Sequence, residues 1–121
     1  MELRNPLSRF QLDALRPRPL VIEISDSDYP GPILLGRVPE GYIVRETIVE
    51  IIESFNDGVG ITVGDPVAHA RLQAIGDNHP TVEDYYNVNN CYQYDAATNL
   101  FVYFPTGIPT KGYARVIVYL N

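Results

Sequence analysis

Apolar and polar positions alternate most clearly near the end of this chain. Tyr113 to Leu120 (YARVIVYL) alternates strictly, with Ala114, Val116, Val118 and Leu120 on one side and Tyr113, Arg115, Ile117 and Tyr119 on the other. That period predicts a strand with one face in a core. Leu100 to Phe104 (LFVYF) and Leu20 to Ser25 (LVIEIS) are short runs rich in β-branched and aromatic residues. The second is ended by the turn formers Asp26, Ser27, Asp28, Pro30 and Gly31, so both predict strands. Pro32 to Val38 predicts a further short strand. Tyr42 to Phe55 (YIVRETIVEIIESF) fits two periods. Val44, Ile48, Ile51, Ile52 and Phe55 have helical spacing, with Glu46, Glu50 and Glu53 on another side. Yet seven of its fourteen residues are β-branched (Ile43, Val44, Thr47, Ile48, Val49, Ile51 and Ile52). Such side chains lose rotamer freedom in a helix and pack well on a pleated surface, so the stretch predicts one long strand.

The connecting segments are less regular. Asn56, Asp57 and Gly58 form a turn signal, which predicts a hairpin to Gly60–Gly64 (GITVG). Asp65 to Asp77 holds Ala68, Ala70, Leu72, Ala74 and Ile75 and predicts a short helix or an irregular excursion. Tyr85 to Tyr94 reads as an Asn-rich turn, with Asn87, Asn89 and Asn90 flanked by tyrosines, and Asp95 to Asn99 as another turn. No internal repeat is visible. Short strands separated by Gly, Pro and Asn turns predict an all-β domain, a β-sandwich of jelly-roll type, over residues 20–121.

Residues 1–19 (MELRNPLSRFQLDALRPRP) break the pattern and read as an extended N-terminal arm. Ser8 can cap a short helix over 9–15, and Pro17 and Pro19 then force extended backbone. Leu3, Leu7, Phe10, Leu12 and Leu15 are costly to leave in water, which predicts an arm that orders against a partner. The arm is also basic. Arg4, Arg9, Arg16 and Arg18 face only Glu2 and Asp13, a balance of +2, whereas the remaining chain balances at −8. These nine apolar and arginine side chains are the candidate partner-binding residues.

Length and composition add limits. The chain has 121 residues, which suits one domain, with 45% hydrophobic and 20% charged residues. The net charge of −6 argues against duplex nucleic acid as the main partner. A single cysteine, Cys91, leaves no intrachain disulfide and no cysteine-based zinc site, and reads as a small buried apolar residue. Met1 to Leu20 lacks the apolar core of a signal peptide, and no apolar run is long enough to span a membrane. The expectation is a protein made in the cytoplasm and kept reduced there.

From Pro39 to Leu120 the chain resembles a known group of proteins. The segment PEGYIVRETIVEIIESFNDG, then ITVGD, then a variable excursion, then LFVYFPTGIPTKGYARVIVY is similar to small virion proteins encoded near the capsid genes of tailed bacteriophages. In these a strand ends in an aromatic turn, here Phe55 to Gly58, before an apolar strand and a Gly-Asp. A closing segment, here Thr110 to Tyr119, supplies the last strand. The resemblance covers about two-thirds of the chain. It implies a β-sandwich subunit, trimeric or similarly multimeric, acting as a capsid decoration (cement) protein on the head exterior or as part of a head fibre or tail. The implied partners are major capsid protein or other virion subunits, with no cofactor.

Candidate chemistry is weaker. Ser25 to Gly31 (SDSDYPG) is similar to the D-x-D-Y-x-G element of trimeric dUTP pyrophosphatases, where the first Asp and the Tyr hold the deoxyribose. This chain lacks that family's glycine-rich C-terminal phosphate motif, so an Asx turn is the simpler reading. Asp26 and Asp28 with Asp57, Asp65 or Asp77 have the oxygen ligands calcium prefers, but no EF-hand spacing. His69 and His79 are ten residues apart, too far for a metal pair on one helix. No nucleophile elbow accompanies them. Gly58, Gly60 and Gly64 lack the Walker lysine, Lys111 being the only lysine. Nine tyrosines, seven of them from Tyr85 onward, divide between core and interface roles, and the Tyr85 to Tyr94 segment also suits a sugar. The sequence therefore predicts a binding subunit, not an enzyme.

Overall fold

The computed structural model describes residues 18–121. Seven strands occur among them: β1 (Leu20–Ser25), β2 (Ile33–Val38), β3 (Ile43–Glu53), β4 (Thr62–Gly64), β5 (Tyr85–Gln93), β6 (Thr98–Tyr103) and β7 (Tyr113–Leu120). One 3₁₀ turn, Asp26–Asp28, follows β1. No α-helix occurs among the described residues, and none of their helices is long and apolar enough to cross a membrane. The strands form two antiparallel sheets, of order β1-β7-β3-β5 and β2-β6-β4.

The long apolar stretch is a strand, because β3 is the spine of the larger sheet. It pairs with β7 on one side and β5 on the other, and a central strand rewards β-branched side chains on both faces. In β7 the predicted alternation holds. Ala114, Val116 and Val118 are fully buried and Leu120 packs against the core. They meet Val44, Val49 and Ile51 of β3, Ile24 of β1, and Val38, Leu100, Val102 and Val63 of the facing sheet. Gly112 leads into β7 with φ +127°, and a Cβ there would run into the Phe55 ring. Only glycine lets that aromatic close the end of the sandwich.

Three expectations fail for identifiable reasons. The turn at Asn56–Gly58 does not make a hairpin: β3 and β4 lie in different sheets, so the chain crosses the sandwich there. The Asn-rich segment is not a turn but β5, a nine-residue edge strand whose ladder with β3 compensates its poor strand composition. Cys91 is exposed, not buried, because a bulge in β5 places it at φ 50°.

Successive strands alternate between the two sheets from β1 to β7, as in a jelly roll. A symmetrical jelly roll has four strands in each sheet, and the smaller sheet here has three. Beside β4, where a fourth would lie, the excursion makes a single bridge from Gln73 to Val63. The excursion after β4 is therefore irregular, as predicted, and takes the place of a strand.

Candidate functional site

The excursion is held by polar side chains rather than by apolar contact alone. Gln73 is 1% exposed. Its Nε2 donates to the Thr47 and Tyr86 carbonyls, both at 3.3 Å, and its backbone exchanges hydrogen bonds with Val63. Asn78 donates to Gln73 Oε1 at 2.7 Å and to the Ile61 carbonyl at 3.1 Å. Asn90 of β5 accepts from Thr47 Oγ1 and donates to the Leu72 carbonyl. One amide network thus ties the excursion to both sheets.

Asp65, just after β4, is the second polar centre. Its carboxylate accepts from the Val67 and Ala68 amides, from Arg71 Nε at 2.6 Å and from the Tyr94 hydroxyl at 2.8 Å. Burial works against its charge, but Arg71, the amides and Tyr94 outweigh that and hold the carboxyl below its usual range. Burial and the Asp65 carboxylate together push the Tyr94 hydroxyl strongly upward. Gly64 precedes this turn because a Cβ would collide with the His69 backbone. A cleft of about 280 Å³ opens here, lined by Asp65, Val67, Arg71, Tyr92, Asp95 and Thr98. The Arg71 guanidinium lies 4.8 Å over the Tyr92 ring. With Asp65 occupied by four donors, that carboxylate braces the loops around the cleft.

The outward face of the larger sheet is a further candidate surface. Val21, Ile117 and Ile48 are aligned in register across β1, β7 and β3, with Asn87 of β5 beyond. Acidic residues flank this row. Glu46 lies on one side and accepts from Asn87 at 3.1 Å. On the other, Arg115 bridges Glu23 at 3.2 Å and Glu50 at 3.4 Å. The Tyr113 hydroxyl also bonds Glu23, and with Arg115 it keeps that carboxyl below its usual range.

Of the sequence-predicted partner-binding residues, only Arg18 is described, and it is exposed. Leu3, Arg4, Leu7, Arg9, Phe10, Leu12, Leu15 and Arg16, and the capped helix over 9–15, lie outside the described residues. The other candidates are dispersed. Asp28 caps the Ser25 amide at 2.8 Å, and Tyr29 packs on Phe104, so the SDSDYPG element serves as a turn. Asp77 caps the Ala74 amide. No group of three or more His, Cys, Asp or Glu gathers as a metal site among the described residues. His69 stacks on Tyr103 at 4.0 Å and His79 sits edge-on to Tyr86, so the two histidines pack on separate tyrosines. Tyr94 and Tyr103 are buried, whereas Tyr85, Tyr92 and Tyr119 are exposed. Sequence reasoning missed the Gln73 network and the outward apolar row. Ile117, apolar on the nominally polar side of β7, was the available signal for the row.

No protein-family model matches the chain, and no curated protein matches it. A solved structure shares the fold: a chain of the cyanophage Pam1 capsid asymmetric unit, with a TM-score of 0.58. The match covers 99% of this chain and 92% of that one at 15% sequence identity.

Proposed function

We propose that the protein is a structural component of a bacteriophage virion that works by binding other virion subunits. Its specific role in this reading is capsid decoration. Several copies, three in the simplest symmetrical arrangement, sit on the head exterior after assembly in the host cytoplasm and stabilise the major capsid protein. The observation that carries the reading is the fold shared with a chain of the cyanophage capsid asymmetric unit along nearly the whole of both chains. The motifs from Pro39 to Leu120 point the same way from the sequence.

In this reading the arm attaches the domain. Leu3, Leu7, Phe10, Leu12 and Leu15 supply apolar area, and Arg4, Arg9, Arg16 and Arg18 pair with acidic groups of neighbouring subunits. Each contact is modest, and repetition over the shell raises avidity. Removing residues 1–19 tests this. The shortened protein is expected to remain soluble and folded, because the buried core cluster lies within Ile24 to Val118. It should fail to bind shells stripped of the native protein. Full decoration by the shortened protein would refute arm-based attachment.

A further inference from the structure

The cleft beside Asp65 holds chemistry that the bracing of loops does not use. Three pieces of chain form it: the loop from Asp65 to Arg71 after β4, Tyr92 near the end of β5, and the turn from Asp95 to Ala97 that leads to Thr98 at the start of β6. Ala96 and Ala97 are small, so the turn leaves the space open. Arg71 is fixed from two directions. Its Nε donates to Asp65 at 2.6 Å, and its guanidinium lies 4.8 Å over the Tyr92 ring. Asp65 is itself held by the Val67 and Ala68 amides and by the Tyr94 hydroxyl. Among the described residues, Arg71 pairs with a carboxylate through Nε alone, so its Nη1 and Nη2 donors are positioned in advance without being consumed. Asp95 is exposed, and none of the described residues donates to its carboxylate. The Thr98 hydroxyl makes a long contact of 3.4 Å with the Asn99 carbonyl and can still accept.

Charge and size select the ligand. The lining sets one guanidinium against two carboxylates, and Asp65 already neutralises Arg71. The remaining charge, on Asp95, disfavours an anion. A cation would meet the Arg71 guanidinium in the same cleft, which disfavours it too. What fits is a neutral ligand that both donates and accepts. Hydroxyls of such a ligand accept from Arg71 and donate to Asp95. Its C–H surface packs on Tyr92, 37% exposed, and on Val67, 88% exposed. At about 280 Å³ the cleft lies at the small end of ligand sites, which suits one or two sugar rings better than an extended peptide. We infer that this cleft is a binding site for a neutral saccharide, with Arg71 and Asp95 reading adjacent hydroxyls and Tyr92 supplying an apolar wall. The sugar-suited stretch from Tyr85 to Tyr94 thereby narrows to its last residues, and the acceptor moves to Asp95 in the following turn.

A sugar titration of the full chain tests the site. Backbone amide and arginine Nε signals of isotope-enriched protein are followed by NMR. Glucose, galactose, mannose, N-acetylglucosamine, maltose and lactose are each added to about 50 mM, a range that captures millimolar binding. At least one of them should give saturable shifts at Arg71, Ala96, Ala97 and Thr98 and leave β1 and β7 unmoved. Asp95→Ala removes an exposed carboxylate that braces none of the described residues, so the fold should be retained while affinity falls about tenfold. No saturable shift with any of these sugars would overturn the inference, and so would full affinity in Asp95→Ala. Lysine, sodium acetate and acetyl-triglycine amide serve as cationic, anionic and peptide probes. Cleft shifts with one of these and not with the sugars would assign the site to that chemistry and overturn the inference as well. The outcome is independent of whether the domain is a virion subunit.

Discussion

β7 and β5 pair with the same strand, one on each side of β3, and they could hardly differ more in composition. β7 turns Ala114, Val116 and Val118 inward onto apolar side chains of the facing sheet. β5 turns Tyr86, Val88 and Asn90 toward the same side, and none of the three is fully buried. The difference follows from what lies opposite. The larger sheet has four strands and the smaller has three, so β5 lacks a full facing strand. The excursion fills that space with Leu72, Gln73 and Asn78, and its carbonyls require polar partners. An asparagine is misplaced under β7 and appropriate under β5. Burial in one half of this sandwich is apolar, and in the other it is satisfied by amides.

Exchanging the two chemistries should break the comparison most severely. Val116→Asn places an amide among aliphatic side chains with nothing to receive it. We expect a loss of about 4 kcal/mol or more, which threatens folding outright. Denaturant unfolding or failure to recover soluble protein would register it. In the other half, Gln73→Ala removes two donor bonds to opposite strands and the acceptor of Asn78. Its expected cost is about 2–3 kcal/mol. Hydrogen exchange should localise the loss to residues 72–78 and β5 and leave β7 protected. Equal loss of protection in β7 would show that the two halves are one cooperative unit.

Asp65 sharpens the comparison through pH. Its carboxyl is held below its usual range in the folded protein, so it favours folding above the unfolded value, near pH 4. That contribution is lost as pH falls through the lower folded value. Asp65→Asn should cost about 1–2 kcal/mol near neutral pH and flatten the stability curve on the acid side. A variant whose acid limb matches that of the parent would assign the limb to other carboxylates. The smallest effect is expected outside both halves. Arg115 is 40% exposed, and removing its bridges to Glu23 and Glu50 by Arg115→Ala should change stability by less than about 1 kcal/mol.

The same contrast explains what could be read in advance. β7 was legible from its period of two, and β1, β3 and β6 from the β-branched and aromatic side chains that a packed sheet rewards. β5 was not, because its partners are backbone carbonyls of an irregular segment, which leave no period in Tyr85–Gln93. The sheet change after Asn56–Gly58 was also hidden, since a turn signal carries no information about which sheet receives the next strand. Of the candidate surface, the arm's basic and apolar character was plain from Arg4 to Arg18. The acidic face with Ile48 at its centre became visible only once the registers of β1, β7, β3 and β5 were known.

The proposed function makes this sandwich a repeated part of a phage particle. Counting its copies in purified virions, by quantitative mass spectrometry against the major capsid protein, tests that claim most directly. Decoration predicts copies in the hundreds per particle, in a simple ratio to the capsid subunits. A dozen or so copies would move the protein to a head fibre or tail adaptor. Its absence from purified particles would contradict the account.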